Sequence, residues 1–167
     1  AILISPMIVP LIITAAGMFF FYARINLVYT FTGVILAHVA LATPFVVITV
    51  TATLVGFDMN MVKASQSLGA KPMKTFFKII MPLILPGIIS GALFAFITSF
   101  DEVVIVMFMA SLDQLTIPKQ MWAGIRQEIS PVILCMATCL VILSIFLLTT
   151  VELLRRRSEK LRGITAR

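Results

Sequence analysis

Four stretches of this chain contain no Asp, Glu, Lys or Arg: Ala1–Ala23, Ile25–Phe57, Ile79–Phe100 and Ile129–Val151. Each reaches the roughly 20 apolar residues that a helix needs to cross the hydrocarbon core of a bilayer. In that core every backbone N–H and C=O must be satisfied within the protein, so apolar runs of this length predict membrane helices. The second stretch is longer than one span requires and must contain a connecting turn, expected near Leu27–Thr32. Helices are expected over about residues 2–22, 32–56, 83–109 and 131–153, an all-α polytopic fold with four visible spans. Ser130-Pro131 is a good start for the last, with Ser as N-cap and Pro at the first helical position. Pro44 falls inside the second and is expected to kink it, which neighbouring helices tolerate in a membrane.

Composition agrees with a lipid environment. The chain is 60% hydrophobic and 12% charged, with a mean hydropathy of +1.12. Soluble domains run about 45–50% apolar and about 25% charged, and a core of this size cannot absorb the excess. The first residue, Ala1, already lies in an apolar run, so the chain is expected to be N-terminally incomplete. That run lacks the basic region and the small-residue cleavage site of a signal peptide.

The net charge of +6 raises nucleic acid as a partner, but the placement of the charges points to membrane topology instead. Lys63, Lys71, Lys74 and Lys78 lie between the second and third spans, and Arg155, Arg156, Arg157, Lys160, Arg162 and Arg167 follow the fourth. The other two connections hold only Arg24, and Lys119 and Arg126 with Asp113 and Glu128. Basic residues mark the cytoplasmic side, so the 58–80 loop and the 154–167 tail are expected there, and the 110–130 connection outside. Cys135 and Cys139 are four apart on one helix face, a geometry poor for a disulfide, with no further ligand for a metal. They read as small apolar packing residues.

The 58–80 loop is more than a connector. Met59, Val62 and Gln66 fall on one side of a first short helix, and Leu68-Gly69-Ala70 forms a break. Pro72 suits the first turn of a second helix presenting Phe76, Phe77 and Ile80, and Pro82 and Pro86 are expected to separate it from the next span. Two short amphipathic helices rimmed by lysines suit docking to another protein, although a basic segment that only fixes topology would also carry the lysines.

The spacing Lys63-Ala64-Ser65-x3-Gly69-x9-Ile79-x-Met81-Pro82 resembles the EAA loop, E-A-A-x3-G-x9-I-x-L-P, of binding-protein-dependent ABC importer permeases. Lys63 stands where that family usually has Glu, Ser65 replaces the third small residue and Met81 replaces Leu. Pro44-Phe-Val-Val-Ile-Thr-Val, Leu68-Gly-Ala, Pro82-Leu-Ile-Leu-Pro-Gly, Ser99-Phe-Asp-Glu-Val-Val and Ser130-Pro131 are similar to the spermidine/putrescine branch. The resemblance covers essentially the whole chain, as the last four of six helices of a type I importer permease. It implies one transmembrane permease domain over residues 1–167, in the inner membrane of a bacterium. Lys63, Ala64, Ser65, Gly69, Ile79 and Pro82 would form a coupling helix seated in a groove of a cytoplasmic ATPase dimer. It further implies a second permease subunit, like or related, and an extracytoplasmic solute-binding protein. The chain has no G-x4-G-K-[ST] phosphate loop, and Gly69-Ala-Lys does not fit one, so ATP and Mg are expected on the ATPase and no cofactor here.

Asp101 and Glu102 are adjacent acids near the outer end of the third span. A charge inside the bilayer costs at least ~2.5–3.5 kcal/mol, so each needs a cavity or a partner. Successive helix residues point about 100° apart, so one of them, Asp101 in preference, is expected to line a path for a cationic solute. Alternatively the pair caps the outer end of the helix, or meets Arg126 or a partner subunit. No nucleophile–base set accompanies them, which speaks against an enzyme. His38, the lone histidine, is expected to hydrogen-bond to a neighbouring helix, and Trp122 to anchor the outer interface or touch a binding protein. A secondary transporter or ion channel subunit is the rival reading. It requires ionisable groups along several helices, where only His38, Asp101 and Glu102 are present. A membrane-embedded enzyme subunit or scaffold is a second rival, separated from the first reading by co-purification with an ATPase.

Overall fold

A computed structural model describes residues 2–127 and 130–161. Glu128, Arg162 and Arg167, named above for their charge, lie outside the described residues. Every element among the described residues is helical: α1 (Leu11–Arg24), α2 (Phe31–Val55), α3 (Met59–Ser67), α4 (Pro72–Phe100), α5 (Val104–Met109), α6 (Ile117–Gln127) and α7 (Pro131–Leu161).

Three helices are long and apolar enough to cross a membrane: α2, α4 and the Pro131–Thr150 part of α7. The segment expected as one helix over 2–22 is instead broken. Two short helical pieces, Ile2–Ile4 and Ser5–Ile8, precede α1, and Val9 is extended with ψ 137°. Pro10 is the cause, because its ring disfavours the helical conformation at the preceding residue. The fourth apolar helix, α1, is therefore only 14 residues long.

The turn after α1 uses left-handed backbone at Asn26 (φ 55°) and Tyr29 (φ 61°). Thr30 then caps α2, its hydroxyl oxygen accepting the Gly33 N–H at 3.0 Å. The helix runs through Pro44, which is buried together with Gly33, Ala37 and Leu41 on one face. That face meets α4. Gly87 sits against Thr53 and Gly91 against Thr49 and Val46, and both threonine hydroxyls hydrogen-bond to carbonyls of their own helix. Without side chains at 87 and 91 the two backbones approach closely, which is how helices associate where no hydrophobic force drives them together.

The third span departs from expectation at both ends. Pro82 and Pro86 do not separate it from the loop: the helix is continuous from Pro72. A π-helical turn at Phe76–Ile80 resets the hydrogen-bond register, with the Met81 N–H donating to the Phe76 carbonyl. Pro82 thereby falls in the first turn of the following α segment, where a missing N–H costs nothing. At the other end the expected 83–109 helix stops at Phe100, and α5 begins as a separate element at Val104. Glu102 lies in the break, and its side chain accepts the Ile105 N–H in the first turn of α5.

The core lies around α5. Ala15 of α1, Ala37 and Leu41 of α2, and Ile105 and Met109 of α5 are buried together, with Phe19, Tyr22 and Phe108 packed on them. By contrast, α7 buries almost nothing against the rest and presents Val132, Leu134, Ile142 and Phe146 outward. It continues past the expected end near 153 to Leu161, where a Glu152–Arg156 pair at 2.8 Å spans one turn.

Candidate functional site

The two groups of residues singled out in the sequence sit at opposite ends of the membrane part of α4. Met81–Phe100 comprises 20 residues, a rise of about 30 Å and thus the thickness of a bilayer core.

At the first end, α3 and the start of α4 form a helix–turn–helix. Asp58 caps α3, its carboxylate accepting the Asn60 N–H at 2.9 Å. Gly69 ends it with φ 76°, a left-handed conformation that disfavours any side chain, and the Ala70 N–H returns to the Ser65 carbonyl at 3.0 Å. Ser65 and Thr75 are buried and their hydroxyls lie 2.9 Å apart, tying the two helices together. Ser65, which departs from the small apolar residue of the resembled motif, therefore has a polar partner in Thr75. Lys63, Ala64 and Gly69 are exposed, and Ile79 is half-buried. Ala64, Ser65, Leu68, Lys74, Lys78 and Ile79 line a groove of about 520 Å³ between the helices. Met59 and Gln66 point outward, so the side of α3 that faces the second helix is Val62 and Ser65.

At the other end the adjacent acids diverge. Asp101 is exposed and lines a cavity of about 520 Å³ between α4, α6 and α7, with Phe96, Phe100, Trp122, Val141 and Ser144 among its walls. Among the described residues it has no ion-pair partner. Glu102 is 6% exposed and turned into the core, where its Oε1 accepts the Ile105 N–H at 2.7 Å. This places a carboxylate at the N-terminal end of a buried helix, the end its dipole favours. The opposite end of α5 receives a cation. Lys119 of α6 donates from Nζ to the Ala110 carbonyl at 3.1 Å and the Val106 carbonyl at 3.4 Å. A six-residue helix is thus capped at both ends by charges of the appropriate sign.

His38 of α2 reaches across to α4, its Nδ1 2.9 Å from the Ser99 hydroxyl, while its Nε2 is buried without a partner among the described residues. Trp122 is half-exposed and belongs to the wall of the Asp101 cavity as well as to the outer surface of α6. Cys135 and Cys139 are exposed free thiols on α7. Sequence reasoning did not single out Lys119, Thr75 or the Gly87–Gly91 contact. The last has a legible signal, two glycines four apart in an apolar helix. The roles of Lys119 and Thr75 depend on distant carbonyl and hydroxyl groups that no local pattern marks.

The family described as "Binding-protein-dependent transport system inner membrane component" matches residues 1–160. Among curated relatives, the chain is 30% identical over 153 residues to the spermidine/putrescine transport system permease protein PotC of Haemophilus influenzae, covering 92% of this chain and 60% of that protein. The PotC of Escherichia coli K12 is 29% identical over 154 residues, covering 92% and 58%. The putrescine transport system permease protein PotI of the same strain is 38% identical over 103 residues, covering 62% and 37%. The chain therefore spans about three fifths of the length of the PotC relatives. With a match over nearly its whole length and a helical, membrane-spanning fold, the chain belongs to the family of inner membrane components of binding-protein-dependent transport systems.

Proposed function

We propose that this chain is the transmembrane subunit of an ATP-driven ABC importer and forms half of the pathway for a small cation such as putrescine or spermidine. The observation that carries the proposal is the placement of Asp101. Among the described residues it is the one ionisable group in the lining of an apolar, partly aromatic cavity, at one end of a helix whose other end carries the helix–turn–helix of residues 58–80. A polyamine fits that chemistry. Its ammonium pairs with the carboxylate and stacks over Trp122 or Phe100, and its methylenes lie along the apolar wall. The names of the PotC and PotI relatives support the substrate class.

In this proposal Lys63, Ala64, Ser65, Gly69, Ile79 and Pro82 belong to the coupling element that docks on an ATPase dimer, which binds the ATP and Mg. The 58–80 loop and the 154–167 tail face the cytoplasm. The outer ends of α4 and α6 face an extracytoplasmic solute-binding protein, and a second permease subunit completes the pathway. The wide apolar surface of α7 is available for that subunit or for lipid.

The test is ATP-dependent putrescine uptake by the assembled complex in proteoliposomes. Asp101→Asn keeps shape and removes charge, and a charge-assisted contact of about 1.5–3 kcal/mol corresponds to a loss of roughly tenfold or more in uptake efficiency. Unchanged uptake by this variant, or uptake confined to anionic or neutral solutes, contradicts the proposal.

A further inference from the structure

With residues 58–80 taken as the ATPase-coupling element, as proposed above, we infer that the groove between α3 and α4 receives an acidic segment of the ATPase: an apolar side chain flanked by carboxylates that pair with Lys74 and Lys78. The sequence between Gly56 and Pro86 holds four lysines and a single acid, Asp58. Asp58 is committed to capping α3 through the Asn60 N–H. Lys63, Lys71, Lys74 and Lys78 are all exposed, and among the described residues none has a carboxylate within ion-pair distance.

Two of these lysines belong to the groove itself. Lys74 and Lys78 are one helical turn apart on α4 and border a cleft of about 520 Å³ lined also by Ala64, Ser65, Thr75 and Ile79. Leu68 is 88% exposed beside the turn, and Met73 69%. An apolar cleft with exposed large side chains at its lip and unpaired cations on its rim is complementary to an apolar knob bearing carboxylates. A lipid surface would account for the lysines through its anionic headgroups, but it offers nothing to fill a cleft between two helices. Lys63, on the outer side of α3, extends the same sign of charge to the position where the resembled motif carries an acid. The partner surface around the cleft is accordingly acidic rather than basic.

The experiment measures the affinity of the ATPase subunit for the full-length permease, with its partner permease, in nanodiscs. Zwitterionic and anionic lipids are compared. The Lys74→Glu/Lys78→Glu variant weakens ATPase binding by about tenfold or more in zwitterionic discs, Lys74→Arg/Lys78→Arg by less than about threefold, and wild-type binding weakens as salt rises. Leu68→Asp, which disrupts the lip of the cleft, serves as the second probe. If Leu68→Asp abolishes binding while the charge reversal leaves it intact, the acidic partner is refuted and the coupling element stands. If neither weakens binding, both the inference and the coupling role fall. If the reversal acts only in anionic discs, the lysines serve lipid headgroups and the inference is overturned.

Discussion

Replacing Gly87 or Gly91 with alanine should destabilise the protein, although alanine is the better helix former. A Cβ at 87 would lie 2.9 Å from the Thr53 Cβ and closer still to its hydroxyl, and one at 91 would lie 3.0 Å from the Val46 Cα and closer to the Thr49 hydroxyl. Backbone and branched side chains cannot rotate away as the end of a long chain would, so α2 and α4 must separate. Overpacking of this kind costs about 1–3 kcal/mol, against about 1 kcal/mol gained from helix propensity. The net loss is up to about 2 kcal/mol per site, or up to roughly 8 °C in melting temperature for a protein of this size. Gly17 of α1 supplies the control, because a Cβ there meets nothing within 4 Å. Thermal unfolding of the full-length protein in detergent should therefore show Gly87→Ala and Gly91→Ala falling and Gly17→Ala holding or rising. Thr49→Ala should recover part of the Gly91→Ala loss, since the Val46 contact remains. If the two variants in α4 melt like Gly17→Ala, the close helix contact does not exist in the protein.

Other expectations follow from the site at the far end of α4. Glu102→Ala strips the cap from the buried Ile105 N–H and should cost about 1–3 kcal/mol in unfolding free energy, whereas Glu102→Gln keeps an acceptor and should cost less. Lys119→Met removes the cation from the Ala110 and Val106 carbonyls and should cost about 1–2 kcal/mol in the same measurement, with Lys119→Arg restoring most of it. Cysteines placed at Ser67 and Ser158 in a cysteine-free background should both resist impermeant reagents from outside intact cells. Labelling of either reverses the charge-based topology.

Much of the fold is legible in the charge-free runs, because a membrane helix must be apolar along its whole length and that requirement shows without tertiary information. The Ser65–Gly69–Pro72 helix–turn–helix is legible for a similar reason, since a left-handed glycine and a first-turn proline act locally. What escapes is set by contacts across the chain. Pro10 breaks the first helix and Pro82 does not break the third, and the difference lies in the π turn at Phe76–Ile80, which moves Pro82 into a first-turn position. Likewise Asp101 and Glu102 are equivalent as letters. Only the fold sends one into a cavity and the other under α5.

In the proposed function, residues 58–80 hand the work of ATP hydrolysis to a pathway that runs past Asp101. Gly69 tests this most directly. Its φ of 76° is a conformation that valine avoids, at a cost of about 1–2 kcal/mol or more, so Gly69→Val distorts the turn while leaving the membrane helices alone. ATP hydrolysis and putrescine uptake measured together in proteoliposomes of the assembled complex should come apart. Hydrolysis by the ATPase should persist while uptake falls to background. Undiminished, ATP-driven uptake by Gly69→Val would contradict the account.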